Sequence, residues 1–362
     1  MSSLRPVSGP PAAVVDALAA WLAEPAEPEP LVVETSGSSG RPKRVVLSRR
    51  AVLASGRATA ERLGVEGQWL LAVPASYVAG VQVVVRSLVA GHRPVLVDDH
   101  PSFLDAVAAL TPDLPHLVSL VPTQLHRMLD DPATAAALAG FHTVLLGGGP
   151  FEPSLRERAA AAGVRMVATY GSAETAGGCV YDGWPLPGVR LEIDLPDGAA
   201  PDATGRVRLG GPTLFDRYEG DAALTGATLV DGWFLTSDAG RLLPDGRLEL
   251  FGRLDDVVVS GGVNVPAPAV ARRLRAHRGV EEAEVLGVPD PEWGRRVVAF
   301  VVPRTDAARP GLERDAVRDW VAAELPRAWA PRDVLLLEAL PLLDNGKVDR
   351  VRLRALAEED AR

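Results

Sequence analysis

The sequence is nearly without lysine. Of its 38 lysine and arginine residues, only Lys43 and Lys347 are lysines. Arginine serves equally well for solvation and ordinary ion pairs, whereas an ammonium is a compact point charge on a flexible stem that can reach a phosphoryl oxygen. Each lysine lies in a compact turn-forming segment, and the two are about three hundred residues apart. Cysteine is scarcer still: the single Cys179 excludes an intrachain disulfide and any zinc-ribbon spacing. The six histidines are scattered and form no HExxH, and His116, His126 and His142 read as structural or exposed. No uninterrupted apolar run approaches the roughly 20 residues that span a bilayer, and no basic segment followed by an apolar core opens the chain. The expectation is a cytoplasmic protein with no membrane insertion. With a net charge of −9 and no basic stripe, general nucleic-acid binding is excluded, so any polyanion must be met locally.

What is present suits a multidomain α/β enzyme. The 362 residues allow two or more domains, and 35 glycines with 31 prolines imply many turns. Helical spacing predicts helices over 12–23, 49–63, 78–90, 103–110, 123–129 and 155–162. Apolar runs predict strands over 31–33, 69–73, 94–97, 117–121, 143–146 and 165–169. Strands alternating with helices and lacking hairpin signals imply a mostly parallel sheet covered by helices on both faces. From about residue 188 to 252, short strands over 205–209, 233–236, 241–243 and 247–251 are punctuated by Asp-Gly turns at 197, 231 and 245, which predicts an antiparallel β subdomain. Beyond Arg253 a small α+β pattern follows, with helices over 267–277 and 312–324 and strands over 283–288 and 297–302. The boundary falls near Asp255, giving a large domain over 1–254 and a small one over 255–362.

Three constellations carry chemistry. The first runs from Thr35 through Ser36, Gly37, Ser38, Ser39 and Gly40 to Lys43. Backbone N–H groups and short hydroxyl side chains there wrap an anion while the lysine adds charge. It is not a Walker loop: Pro42 stands where the second glycine belongs, and Arg44 replaces the magnesium-binding hydroxyl. The second is Tyr170-Gly171-Ser172-Ala173-Glu174-Thr175, at the carboxyl end of a predicted strand, where parallel sheets bind ligands. Glu174 offers the hard oxygen that Mg²⁺ prefers. Upstream, Gly147-Gly148-Gly149-Pro150 leaves room for a flat ring against bare backbone. The third joins Thr236-Ser237-Asp238 with Gly252-Arg253-Leu254-Asp255-Asp256.

The ordered series TSGSSGRPK, GGGP, YGSAET, TSD, GRLDD, SGGVN and DNGK, over about residues 31 to 350, resembles the acyl-adenylate-forming superfamily of acyl-CoA synthetases, adenylation domains and luciferases. The resemblance implies a large domain, a mobile small C-terminal α+β domain, and a ligase using ATP, Mg²⁺ and coenzyme A. It implies that residues 35 to 43 embrace the β- and γ-phosphates, that Gly148, Gly149 and Tyr170 border the adenine, and that Gly171 and Ser172 belong to the same ATP site. Thr175 then approaches the α-phosphate, Glu174 holds Mg²⁺, and Asp238 and Arg253 bind the ribose. Asp255 is the hinge, Gly261, Gly262 and Asn264 form the coenzyme A tunnel, and Lys347 contacts the α-phosphate and the attacking carboxylate.

The phosphate loop begins at residue 35, earlier than in most members. That abbreviation, with Ser119-Leu120-Val121-Pro122-Thr123-Gln124-Leu125 and Leu145-Leu146-Gly147, resembles a short branch of acid:CoA ligases acting on an aromatic dicarboxylic acid. Tyr77 stands where the family commonly has histidine, near Gly80, and Arg86 on the following helix is a candidate partner for a second carboxylate. The expected partners are a small carboxylic acid and coenzyme A, with a homodimer left open. The alternatives are an acyl- or aryl-CoA ligase for another acid, or a stand-alone adenylation enzyme loading a carrier protein.

Overall fold

A computed structural model describes residues 3–35, 42–149, 151, 153–195, 198, 203–304, 312–341 and 348–360 of the protein, with Asp255 and Asp360 described by backbone alone. The chain divides into two compact units. The first holds Met1–Glu192, Arg208–Thr236 and Pro244–Leu248; the second holds Ile193–Val207, Ser237–Leu243 and Glu249–Arg362.

In the first unit, strand β1 (Leu31–Thr35) pairs antiparallel with β2 (Lys43–Leu47), Thr35 opposite Lys43. The glycine-rich segment thus joins two strands of a hairpin, where the sequence predicted a strand followed by loop and helix. Helix α1 (Arg49–Leu63) starts at Ser48, whose side chain accepts from the Ala51 N–H, and stops at Gly64 in the left-handed region (φ 67°).

The large sheet then builds from β3 (Gln68–Leu71), β4 (Val95–Leu96), β5 (His116–Leu120), β6 (Thr143–Leu146), β7 (Met166–Ser172), β8 (Gly177–Tyr181) and β9 (Trp184–Pro185), in spatial order β9-β8-β7-β6-β5-β3-β4. The five strands from β7 to β4 are parallel, and β8 and β9 add antiparallel at the edge. Helix α2 (Val78–Val89) links β3 to β4, and Pro153–Ala161 links β6 to β7. Central strands such as Thr143–Leu146 are buried throughout, which is why they read as unbroken apolar runs. Helix Pro132–Ala139 was not foreseen: an alanine-rich segment carries little periodicity, although Asp131 caps it and proline occupies its first turn. Further along, β10 (Arg217–Tyr218) pairs with β2, Tyr218 opposite Val45.

Trp233–Leu242 is one ten-residue strand where the sequence pattern predicted two, so Thr236-Ser237-Asp238 lies within a strand. In the second unit, the hairpin Val257–Ser260 with Val263–Pro266 precedes helix Ala267–Arg275. The long antiparallel pair Val280–Asp290 and Gly294–Pro303 carries Asp333–Leu336 in parallel at its edge. Phe251, Val270, Leu274, Val285, Val301, Val321 and Trp329 form that unit's core. Among the described residues, no helix is long and apolar enough to cross a membrane.

Candidate active site

The carboxyl ends of β6 and β7 lie side by side, Leu146 opposite Ala168, with the Thr169 hydroxyl donating to the Leu146 carbonyl at 3.2 Å. The glycine segment 147–149 leaves β6 at this edge. Gly148 has φ 81°, a region costly for other residues, and a Cβ on Gly149 would meet nothing within 4 Å. A Cβ on Gly148 would lie 3.3 Å from the Val121 side chain, so the open backbone is at Gly149. Gly171 is demanded by packing, since a Cβ there would sit 2.2 Å from the Gly177 carbonyl oxygen.

Immediately after β7, Ala173–Thr175 makes one tight turn, closed by Ala176 at φ 50°. A non-glycine residue in that region costs of order 1–3 kcal/mol, so the surrounding packing enforces the turn. It buries Glu174, 7% exposed, and points its carboxylate at Tyr218, whose hydroxyl donates to Glu174 Oε1 at 2.8 Å. The backbone N–H of Phe215 donates to the Glu174 carbonyl at 2.9 Å. Burial first, and then the Glu174 charge, push the Tyr218 phenol well above its ordinary range, so it remains a donor. The Thr175 hydroxyl is buried and engaged inside the turn: it accepts from Ser172 N at 2.9 Å and faces the carbonyls of Gly177 (2.7 Å) and Ser172 (3.1 Å). To reach a phosphate it must give up one of these. Cys179 behind the turn is fully buried, and burial pushes its thiol up to about 12, which leaves it chemically inert.

Tyr218 also connects this turn to the hairpin that carries Thr35 and Lys43. The Lys43 ammonium lies 5.4 Å from its ring centroid. Glu219 pairs with Arg44 at 2.9 Å and Arg5 at 2.6 Å. Lys43, Thr35, Glu174, Gly148, Gly149, Tyr170, Gly171 and Ser172 therefore belong to one unit. Residues 36–41, which include Ser36, Gly37, Ser38, Ser39 and Gly40, lie outside the described residues, as does Lys347.

Among the described residues, no group of three or more His, Cys, Asp or Glu side chains converges as a metal cage. Mg²⁺ does not need one, because it keeps several waters and is held through one or two carboxylates plus substrate phosphates. Glu174, with one oxygen held by Tyr218, and the nearby buried Ser172 hydroxyl, unpartnered among the described residues, fit that habit.

Tyr77, half exposed, stands at the N-terminus of α2. Gly80 packs so closely that a Cβ would fall 2.1 Å from the Pro74 carbonyl oxygen. Arg86, only 9% exposed, sits over Trp69 at 5.3 Å, at the amino end of β3 and the opposite end of α2 from Tyr77, so the structure does not bring this predicted acid-pocket residue to the carboxyl ends of the strands. It lines a cavity of about 20 Å³ with Leu53, Gly56, Val85 and Glu66, room for about one water. Among the described residues its Nε has no partner and no carboxylate pairs with it.

Residues 23–219 match the AMP-binding enzyme family, and residues 270–347 match the AMP-binding enzyme C-terminal domain. The chain belongs to the AMP-binding enzyme family. A Mycobacterium tuberculosis protein named "Probable 2-succinylbenzoate--CoA ligase" is 41% identical over 331 residues, covering 89% of this chain and 83% of its own. The o-succinylbenzoate CoA synthetase of Bacillus subtilis, solved with its acyl-adenylate intermediate, is 26% identical, with a TM-score of 0.72 over 89% of this chain and 68% of that one. The same B. subtilis enzyme has been solved with ATP and magnesium ion, at a TM-score of 0.71, 26% identity, and 89% and 69% coverage.

In this AMP-binding enzyme the second unit carries the remaining expected residues. Asp238 lies within strand Trp233–Leu242, and Arg253 ends strand Leu248–Arg253. Gly261 and Gly262, at φ 55° and 79°, turn the hairpin, and the exposed Asn264 follows. Gly261 donates its N–H to the Trp293 carbonyl at 3.0 Å, and a Cβ on it would lie 2.5 Å from the Trp293 ring. Next to Asp255, Asp256 pairs with Arg350 at 2.5 Å, and Arg350 also reaches Glu284 at 2.8 Å. Sequence reasoning singled out neither Arg350 nor Tyr218. Their partners are 94 and 44 residues away, so no local pattern marks them.

Proposed function

We propose that this AMP-binding enzyme joins o-succinylbenzoate to coenzyme A at the expense of ATP, a step of menaquinone biosynthesis. The observation that carries this reading is the 41% identity, over 89% of the chain, to the M. tuberculosis protein named for that activity. In the first half-reaction a carboxylate oxygen of the acid attacks the α-phosphorus of ATP, the bond to the bridging oxygen breaks, and pyrophosphate leaves. In the second, the coenzyme A thiol attacks the acyl carbonyl, its proton is lost, and AMP leaves.

The residues divide the work. Thr35, Lys43 and the loop between them bind the β- and γ-phosphates. Gly148, Gly149 and Tyr170 flank the adenine, and Asp238 and Arg253 hold the ribose. Glu174 holds the divalent cation, which when bound neutralises phosphate charge. Lys347 meets the charge that gathers on the equatorial oxygens of the α-phosphorus. Asp255 is the hinge about which the small domain turns to present Gly261, Gly262 and Asn264 to the thiol. Tyr77 and Gly80, at the N-terminal end of α2 and just past the carboxyl end of β3, line the pocket for the acid, whereas Arg86, over Trp69 at the opposite end of that helix, takes no part in binding it.

Pyrophosphate release measured over a panel of acids, with and without coenzyme A, tests the reading. Turnover with o-succinylbenzoate, AMP and the acyl thioester being the products, is expected. Turnover with other aryl or fatty acids and none with o-succinylbenzoate would refute the choice of acid. Acylation of a carrier protein in place of coenzyme A would refute the choice of acceptor.

A further inference from the structure

We propose that Tyr218 is a positioning residue that confines the Glu174 carboxylate to single-oxygen coordination and thereby tunes the site to a small divalent cation. The inference rests on the functional reading above, in which Glu174 holds the cation.

Both groups are buried, Tyr218 at 3% and Glu174 at 7% exposure, and the phenol donates to one carboxylate oxygen at 2.8 Å. A carboxylate with one oxygen so engaged presents the other alone. Six-coordinate Mg²⁺ with near-ideal geometry accepts that, whereas Ca²⁺ profits from carboxylates free to bind through both oxygens. The phenol itself is firmly held. The Tyr218 N–H donates to the Thr225 hydroxyl at 2.9 Å, and its backbone pairs in register with Val45 of β2. Its ring packs against Phe215 at 4.8 Å, and the Phe215 N–H in turn holds the Glu174 carbonyl. On its other side Glu219 is tied to Arg44 and Arg5. The Lys43 ammonium faces the same ring at 5.4 Å. One side chain therefore fixes the carboxylate relative to the phosphate hairpin, and the geometry of cation and phosphate is set together. Partners that orient a metal ligand in this way typically change metal affinity or activity about 10- to 100-fold when removed.

The test is Tyr218→Phe, which keeps the ring and removes the donor. Titration of the full chain with Mg²⁺ and with Ca²⁺, in the presence of a non-hydrolysable ATP analogue and read by calorimetry, measures binding without turnover. The expected result is a Mg²⁺ dissociation constant raised about 10-fold or more, a smaller change for Ca²⁺, and adenylation rescued by excess Mg²⁺. Thiolation of supplied acyl-adenylate should be unchanged. In a Glu174→Gln background the same substitution should have no further effect on cation binding. Unchanged Mg²⁺ and Ca²⁺ constants in Tyr218→Phe, or additive effects in the double variant, would overturn the inference. If the phenylalanine variant does not accumulate, Tyr218→Leu, which also lacks the donor, is read in the same way. Failure of the native protein to bind Mg²⁺ with the analogue would instead refute the functional reading itself.

Discussion

Replacing Arg86 by methionine tests whether this arginine serves the acid or only the packing. The residue is 9% exposed, its Nε is unpartnered among the described residues, and the cavity beside it holds about one water. It lies over Trp69 at the amino end of β3, away from the carboxyl ends of β6 and β7. Pairing with the ring carboxylate of the acid would make its loss cost about 2–5 kcal/mol, a fall of roughly 30-fold or more in kcat/KM for o-succinylbenzoate, and no such fall is expected. Stability should move little. Removing an unsatisfied buried donor recovers about 1–3 kcal/mol. Losing the contact with Trp69 forfeits about 0.5–2 kcal/mol. Pyrophosphate release should be measured with o-succinylbenzoate and with the analogue lacking the ring carboxylate, beside thermal unfolding. Little change in kcat/KM for either acid is expected, with a thermal midpoint close to that of the native protein. A large loss for o-succinylbenzoate alone would refute the reasoning and place Arg86 in the acid pocket.

Two further predictions concern the small domain. Lys347→Ala should lower adenylation about a hundredfold or more, the cost of one preorganised donor, while thiolation of supplied acyl-adenylate proceeds. Half-reaction assays check this, and equal loss in both halves contradicts the division of labour. Gly261→Ala places a Cβ 2.5 Å from the Trp293 ring at a φ of 55°, so unfolding should show a loss of about 1–3 kcal/mol, and thiolation should fall more than adenylation.

Much of the first unit was legible because its large sheet is mostly parallel. A strand buried on both faces is written as an unbroken apolar run, and the alternation with amphipathic helices implies its partners. The hairpin at Thr35 and Lys43 was not legible in this way. Lys43–Leu47 is short, and the serine and glycine loop before it carries no primed-turn signal. Asp238 was mistaken for a residue between strands because Thr236-Ser237-Asp238 interrupts the apolar alternation of one long strand. Glu174 was readable as a candidate from its place just past a strand. What holds it was not: Tyr218 sits between Arg217 and Glu219, and only the pairing of β10 with β2 brings it to the site. Arg86 illustrates a similar limit. Its position on a helix was plain, whereas its burial without a counter-ion is a property of the packed structure.

The most direct test of the central claim is to incubate the protein with Mg²⁺, ATP and o-succinylbenzoate, without coenzyme A, and to identify what is bound by mass spectrometry. The account predicts stoichiometric o-succinylbenzoyl-AMP with release of pyrophosphate, followed by conversion to the coenzyme A thioester and AMP when coenzyme A is added. Release of ADP and phosphate instead, or an adenylate that coenzyme A fails to consume, would contradict it.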